Sequence, residues 1–195
     1  MSHKLEGPVW LMQPIPYFGE DLSYGWKWEP KIDGWRMQII RYANGRVELW
    51  GRRLERKPNW TEKLPSICER VKKLFPKGII IDAELSTSRG RRFIPSLFSK
   101  RPKAEAIVYI FDLIFYNNKF IGDIPLEERK KILKSFSYEE PFRLVLGKKI
   151  RNLGKALEEA LLKGMEGIIV KKIDSPYTLC KEGPIATENW RKIKP

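Results

Sequence analysis

A chain of 195 residues, 42% of them hydrophobic, is long enough to bury one real core and too apolar to be a disordered polyelectrolyte. Its 38 Lys and Arg against 24 Asp and Glu give a net charge of +14, which points to a polyanionic partner, nucleic acid first, or else to a solubilising Lys/Glu-rich surface. One histidine, His3, and two cysteines, Cys68 and Cys180, in no CxxC pattern, leave almost no room for Cys/His zinc chemistry or histidine acid–base catalysis.

There is no repeat, low-complexity stretch or Gly/Ser/Pro linker, so residues 1–195 read as one domain. In chain order, Trp26–Ile32 and Trp35–Tyr42 read as strands flanking Asp33-Gly34, and Asn44-Gly45 reads as a tight turn into a third strand, Arg46–Gly51. Leu64, Ile67, Val71 and Leu74 follow helical spacing and predict a helix over Thr61–Phe75. Gly78–Leu85 carries the β-branched run Ile79-Ile80-Ile81, and Ala106–Tyr116 is a longer apolar strand rich in aromatics. Pro125–Phe136 opens on Pro and acidic residues and turns basic, as a helix dipole favours. Arg143–Ile150 reads as a strand. A third helix has Leu153, Leu157, Ala160 and Leu161 on one face and Gly164 as its cap, and Gly167–Ile173 is a further strand. Helices scattered among mostly antiparallel strands predict an α+β fold. No run of about 18 apolar residues and no apolar leader appear, and two free thiols suit a reducing compartment, so a soluble, cytoplasmic protein is expected.

The informative stretch is Glu29-Pro30-Lys31-Ile32-Asp33-Gly34-Trp35-Arg36, with a lysine, an aspartate, a glycine and an arginine between two strands. Alone it is also what an ordinary charged hairpin looks like. Four further segments follow it: Ile81-Asp82-Ala83-Glu84-Leu85, Tyr109-Ile110-Phe111-Asp112-Leu113, Glu166-Gly167-Ile168-Ile169-Val170-Lys171 and Trp190-Arg191-Lys192-Ile193-Lys194. On a strand, Lys192 and Lys194 would share a face.

Taken in order, these segments resemble the covalent nucleotidyltransferase superfamily of DNA ligases, RNA ligases and mRNA capping enzymes. The likeness runs from about Met12 to Pro195. Pro95-Ser96-Leu97-Phe98, Phe111-Asp112-Leu113, Pro125-Leu126-Glu127-Glu128-Arg129 and Asp174-Ser175-Pro176-Tyr177 are similar to the ligase domain of prokaryotic end-joining DNA ligases. The pattern departs from the superfamily at Gly51-Arg52-Arg53, where Ser is usual before the arginine, and at Asp82-Ala83-Glu84, where Gly is usual between the acids.

The resemblance implies an α+β, ATP-grasp-like nucleotidyltransferase domain: antiparallel sheets flanked by helices, with the nucleotide cleft between the sheets. It implies that Lys31 attacks the α-phosphorus of ATP, with release of pyrophosphate. A free lysine, of pKa about 10.4, is neutral about once in a few thousand molecules at pH 7, so nearby cations or a metal must disfavour the ammonium. Lys192 and Lys194 would supply that field and neutralise the α-phosphate. Arg36 and Glu84 would hold the ribose, with Arg52 on the ribose or phosphate side. Phe111 and Ile169 would sandwich the adenine, and core packing is the other reading of both. Glu29 would sit at the adenine edge, Ile32 among the nucleotide contacts, and Lys171 would face phosphate. Asp33 and Glu166 would bind Mg²⁺ or Mn²⁺, in part through water.

AMP would then pass to a 5′-phosphate at a nick, and a 3′-hydroxyl would seal it, in repair, recombination or end joining. Arg52, Arg53, Arg56, Arg89–Arg92 and Lys100–Lys103 would hold nicked or broken duplex DNA by its phosphates. Members of the superfamily continue into a C-terminal OB-fold domain that this sequence does not contain. An OB-fold domain or an end-joining protein in trans is the partner expected, the chain otherwise being a monomer off the membrane. An RNA ligase, a GTP-using capping enzyme, or a non-catalytic basic nucleic-acid-binding module would share parts of the pattern.

Overall fold

The computed structural model describes residues 4–22 and 24–195, so His3 lies outside the described residues. In chain order the strands and helices are β1 (Gln13–Pro16), β2 (Trp26–Lys31), β3 (Trp35–Arg41), β4 (Val47–Gly51), α1 (Pro65–Leu74), β5 (Ile79–Thr87), β6 (Ala106–Tyr116), β7 (Lys119–Phe120), α2 (Leu126–Lys134), β8 (Phe142–Leu144), β9 (Lys148–Lys149), α3 (Leu153–Leu162), β10 (Gly167–Lys172) and β11 (Ala186–Ile193). They form two sheets. One has the order β1-β11-β10-β2-β9; the other runs β4-β3-β5-β6-β7, with β8 also paired to β6. All pairings are antiparallel except β1 with β11 and β6 with β8.

Alternation along the strands sets the layers. On the larger sheet, Met37, Ile39, Ile81, Ala83, Leu85, Val108 and Ile110 face outward onto Ile67 and Val71 of α1, Leu133 of α2, and Ile94 and Leu97 of a 3₁₀ segment, Arg91–Phe98. On the smaller sheet, Trp28, Ile168 and Val170 face outward onto Ala156 and Ala160 of α3. Between the sheets, Ile40, Ile80, Ile114 and Phe115 meet Trp190, Tyr177, Leu11 and Met12. The inner faces are therefore apolar at one end and free to carry polar groups at the other. The predicted α+β class with helices outside antiparallel sheets is the observed one.

Several elements differ from expectation. The helix expected from Thr61 begins at Pro65, because Leu64 before the proline is held off the helical region at φ −127°, ψ 52°; Thr61–Lys63 forms a separate 3₁₀ turn. The strand expected over Arg143–Ile150 is two short strands in different sheets, β8 on β6 and β9 on β2, so the chain crosses from one sheet to the other through Val145-Leu146-Gly147. A Cβ at Gly147 would lie 2.9 Å from that of Lys27, which is why the crossing passes so close to β2. Neither β1 nor the 3₁₀ segment Arg91–Phe98 was expected: β1 is four residues with two prolines, and it exists only as a parallel edge against β11. By contrast α3 ends as predicted, with Gly164 at φ +72° beyond it, and starts on Asn152, whose side chain accepts from Lys155 N at 2.9 Å.

Candidate active site

The polar end of the space between the sheets is a cleft of about 1000 Å³. Every residue expected to touch nucleotide or metal lines it: Glu29, Lys31, Ile32, Asp33, Arg36, Arg52, Glu84, Phe111, Glu166, Ile169, Lys171, Lys192 and Lys194. Strand geometry explains the convergence. Glu29 and Lys31 are two apart on β2, Ile169 and Lys171 two apart on β10, and Trp190 and Lys192 two apart on β11, so each pair faces inward from the smaller sheet. Arg36 on β3 is in register with Glu84 on β5 across the larger sheet.

Lys31 ends β2 beside Gly167, and Glu166 N donates to Lys31 O at 3.0 Å. A Cβ at Gly167 would stand 2.2 Å from Ile193 O, so only glycine lets β10 begin this close to β11. The same squeeze brings three charges together: Lys31 Nζ donates to one Glu166 oxygen and Lys194 Nζ to the other. Burial pushes the Glu166 carboxyl up, but the hydrogen bonds from Lys194 and Lys31 outweigh it and hold the group below the usual range. Lys31 is therefore neither in bulk water nor distant from the C-terminal basic pair. The turn after it is just as tight. A Cβ at Gly34 would meet Leu85 O at 2.3 Å, which packs the Asp33-Gly34 turn against β5.

On the opposite wall, Arg36 forms a fork with Asp82, Nε to Oδ1 at 2.9 Å and Nη2 to Oδ2 at 2.6 Å. Tyr177 donates to Asp82 Oδ2 at 2.7 Å and accepts from Met12 N. Arg36 also lies over the Phe111 and Trp190 rings, at 5.4 and 5.7 Å. The guanidinium is thus pinned before any ligand arrives. Glu84, next along the same face of β5, is pushed up to about 7 by burial, against the pull of Arg36 and Lys31. Arg52 reaches across the rim to Gln13 of the other sheet at 3.3 Å.

The floor is a second charge cluster. Glu29, only 3% exposed, has Lys130 Nζ 2.6 Å from one oxygen and Lys171 Nζ 2.7 Å from the other. Lys171, expected to face phosphate, is buried in the cleft lining beside Glu29, 4.1 Å from the Trp190 ring centroid and 4.6 Å from that of Phe111. It shares the inward face of β10 with Ile169 but stands five residues along from Glu166, deeper in the cleft. Beneath it, Arg129 forks onto the fully buried Asp112 at 2.8 and 3.0 Å and caps the carbonyls of Ile124 and Ser175.

Asp33 and Glu166 offer the hard oxygen donors that Mg²⁺ or Mn²⁺ takes. In the structure Asp33 pairs with Arg91 at 3.1 Å, and Glu166 with Lys31 and Lys194. Among the described residues no three carboxylate, histidine or cysteine side chains converge. That donor set fits an ion carried in with phosphates and water better than one bound by protein alone.

Sequence reasoning gave no site role to Asp82, Tyr177, Trp190 or Lys130, and expected Arg91 among the DNA-phosphate contacts, not beside Asp33. Trp190 was within reach, since it shares a strand face with Lys192. Lys130 and Tyr177 were not: each lies on another element and joins the site only through folding.

Solved structures share this architecture. A mycobacterial DNA ligase D complexed with ATP and MES superposes with a TM-score of 0.67 at 19% identity, over 94% of this chain and 60% of that one. The Chlorella virus DNA ligase-adenylate does so with a TM-score of 0.62 at 18% identity, over 94% and 68%. The fold is that of the ligase nucleotidyltransferase domain. The sequence model described as the ATP dependent DNA ligase domain matches residues 20–194, and the chain belongs to that family. Among curated relatives, a DNA ligase of Archaeoglobus fulgidus is 32% identical over 183 residues, 85% of this chain and 31% of that protein. DNA ligase 2 of Methanosarcina mazei is 32% identical over 86% of this chain and 32% of that protein. The chain thus spans about a third of the length of these relatives.

Proposed function

We propose that this chain performs the lysine-adenylation chemistry of an ATP-dependent DNA ligase, with Lys31 as nucleophile. The observation that carries the proposal is the position of the Lys31 amine, held by Glu166 beside Lys194 at the open end of a cleft wide enough for a nucleotide. The Lys31 lone pair would attack the α-phosphorus, forming a P–N bond as the bond to pyrophosphate breaks. The lysine proton leaves to water or to phosphate oxygen, because a carboxyl held as low as that of Glu166 orients the amine but is a poor base. Lys192 and Lys194 would offset the charge gathering on the phosphates. Arg36 and Glu84 would hold the ribose, Phe111 and Ile169 the adenine faces, and Glu29, with Lys171 behind it, the adenine edge. Ile32 and Arg52 would close the ribose and phosphate side. Asp33 and Glu166 would hold Mg²⁺ or Mn²⁺, partly through water, and the ion would add positive charge at the phosphates.

AMP would next move from Lys31 to the 5′-phosphate of nicked or broken duplex DNA. A 3′-hydroxyl would then displace AMP and close the strand, in repair or recombination of DNA ends. Lys31, Glu166 and Lys194 are 21%, 27% and 48% exposed, so this end of the cleft is open to a partner; an OB-fold domain or an end-joining protein is the proposed one. No helix among the described residues is long and apolar enough to cross a membrane. Cys68 and Cys180 are both free thiols, which supports a reducing, cytoplasmic setting, and a monomer is proposed.

The test is incubation with α-labelled ATP or GTP and Mg²⁺ or Mn²⁺, followed by peptide mapping. Label from ATP at Lys31 is expected. Label from GTP alone would turn the reading to a capping-type enzyme, and sealing of nicked RNA but not nicked DNA would turn it to an RNA ligase.

A further inference from the structure

Lys130 stands directly behind the cleft lining. Its amine is 2.6 Å from Glu29 Oε1 and donates to Val145 O at 2.8 Å; Glu29 and Val145 line the cleft, whereas Lys130 does not. Its stem belongs to α2, Val145 to the crossing between the sheets, and Glu29 to β2. One buried ammonium therefore ties three elements to one oxygen of a single carboxylate. The second oxygen faces Lys171, which is itself stacked under Trp190 and Phe111.

From this geometry we infer that Lys130 is a positioning residue that sets purine selectivity, by fixing Glu29 as a hydrogen-bond acceptor for the 6-amino group of adenine. The inference rests on reading the cleft as an ATP site. A carboxylate only accepts, and with its charge balanced by Lys130 behind it and Lys171 beside it in the cleft floor it has lone pairs left for a donor in the cleft. An exocyclic amino group donates into that arrangement. A 6-oxo purine places oxygen against oxygen, and a site built around a buried polar partner rejects such an analogue strongly. Without Lys130, Glu29 keeps one ammonium and loses the anchor that fixes its torsions. Adenine should then lose its advantage, while the stacking contacts that serve every purine remain.

The experiment measures binding of ATP and of ITP, which carries a 6-oxo group, to the whole chain by calorimetry, for wild type, Lys130→Met, Lys130→Arg and Glu29→Gln, with thermal melts as a check of folding. Wild type should prefer ATP. Lys130→Met and Glu29→Gln should each lower the ATP-to-ITP affinity ratio by about tenfold or more, and Lys130→Arg, which can reach both partners, should restore most of it. Should Lys130→Met fail to fold, Lys130→Gln, which keeps a donor but loses the charge, carries the same contrast against Lys130→Arg. Equal weakening of both nucleotides with an unchanged ratio would mean that Lys130 only braces the fold, and would overturn the inference. So would a wild type indifferent to the 6-position, even with Lys31 labelled by ATP. Missing label at Lys31 beside a clear ATP preference would count against the ligase reading alone.

Discussion

The proposed function turns on charge at two residues, Lys31 and Glu84. Lys31→Ala removes the proposed nucleophile from a part-exposed position at a strand end, so stability should change by only about 0.5 kcal/mol while all covalent AMP disappears; mass spectrometry and a thermal melt check both halves. Glu84 carries a pH signature. Burial raises its carboxyl to about 7, so the empty cleft favours its neutral form. Because the folded value is raised, the stabilising contribution is complete below the unfolded value of about 4.3 and is lost as pH rises through about 7. In the proposed site nucleotide binding runs the other way, since the carboxylate would accept from both ribose hydroxyls. ATP affinity should therefore rise between about pH 6 and 8, and in Glu84→Gln that rise should vanish; titration calorimetry across the range reads it directly, and a wild-type affinity flat in pH would remove Glu84 from the ribose.

At the level of elements, the site is stiffened by buried charge pairs that tie strands and helices together. Asp82 on β5 is fully buried and holds Arg36 of β3 and the hydroxyl of Tyr177, which itself accepts from Met12 N. One carboxylate thus links two strands of the larger sheet to the segment between β10 and β11. Asp112, in register with Asp82 on β6, does the same for α2 through Arg129. Removing one partner of such a pair strands the other charge in the interior, which typically costs about 3–5 kcal/mol. Asp82→Asn should therefore lower stability by about that amount, measured by denaturant unfolding, whereas Tyr177→Phe, which strands no charge, should cost nearer 1–3 kcal/mol. A cost for Asp82→Asn within about 0.5 kcal/mol would show that Arg36 finds another partner.

At the scale of the whole molecule, part of the positive surplus stands at the cleft mouth, where it can act on a polyanion. Arg52, Arg53 and Arg56 on one rim and Arg91 on the other line the cleft mouth, and all four are exposed. Arg53 lies beside the cleft but carries none of the nucleotide contacts assigned to Arg36 and Arg52. Binding of nicked duplex should weaken linearly in log salt, by about 0.9 per phosphate neutralised, and Arg53→Ala with Arg56→Ala together should flatten the slope by about 1 to 2. Fluorescence anisotropy between about 50 and 200 mM salt measures this; an unchanged slope would move the duplex to another face, such as the exposed run Lys100–Lys103.

Much of this protein was legible in one dimension. Period-two alternation put Lys192 and Lys194 on one face before any coordinates, and the ordered segments around Lys31, Glu84, Phe111 and Glu166 carried the family resemblance. These are local properties, carried by side chains a few residues apart, whereas the close approaches at Gly34 and Gly167 came only with the fold. What each charge meets across the cleft was decided only by tertiary structure. Lys171 pairs with one oxygen of Glu29, and α2 and the 145–147 crossing bring Lys130 to the other. The apparent strand over 143–150 divides between two sheets because β6 and β2 each offer it an edge, more than thirty residues away in sequence. Long-range partners are chosen by packing and by the cost of unpaired buried charge, and neither is written in the spacing of residues along a chain.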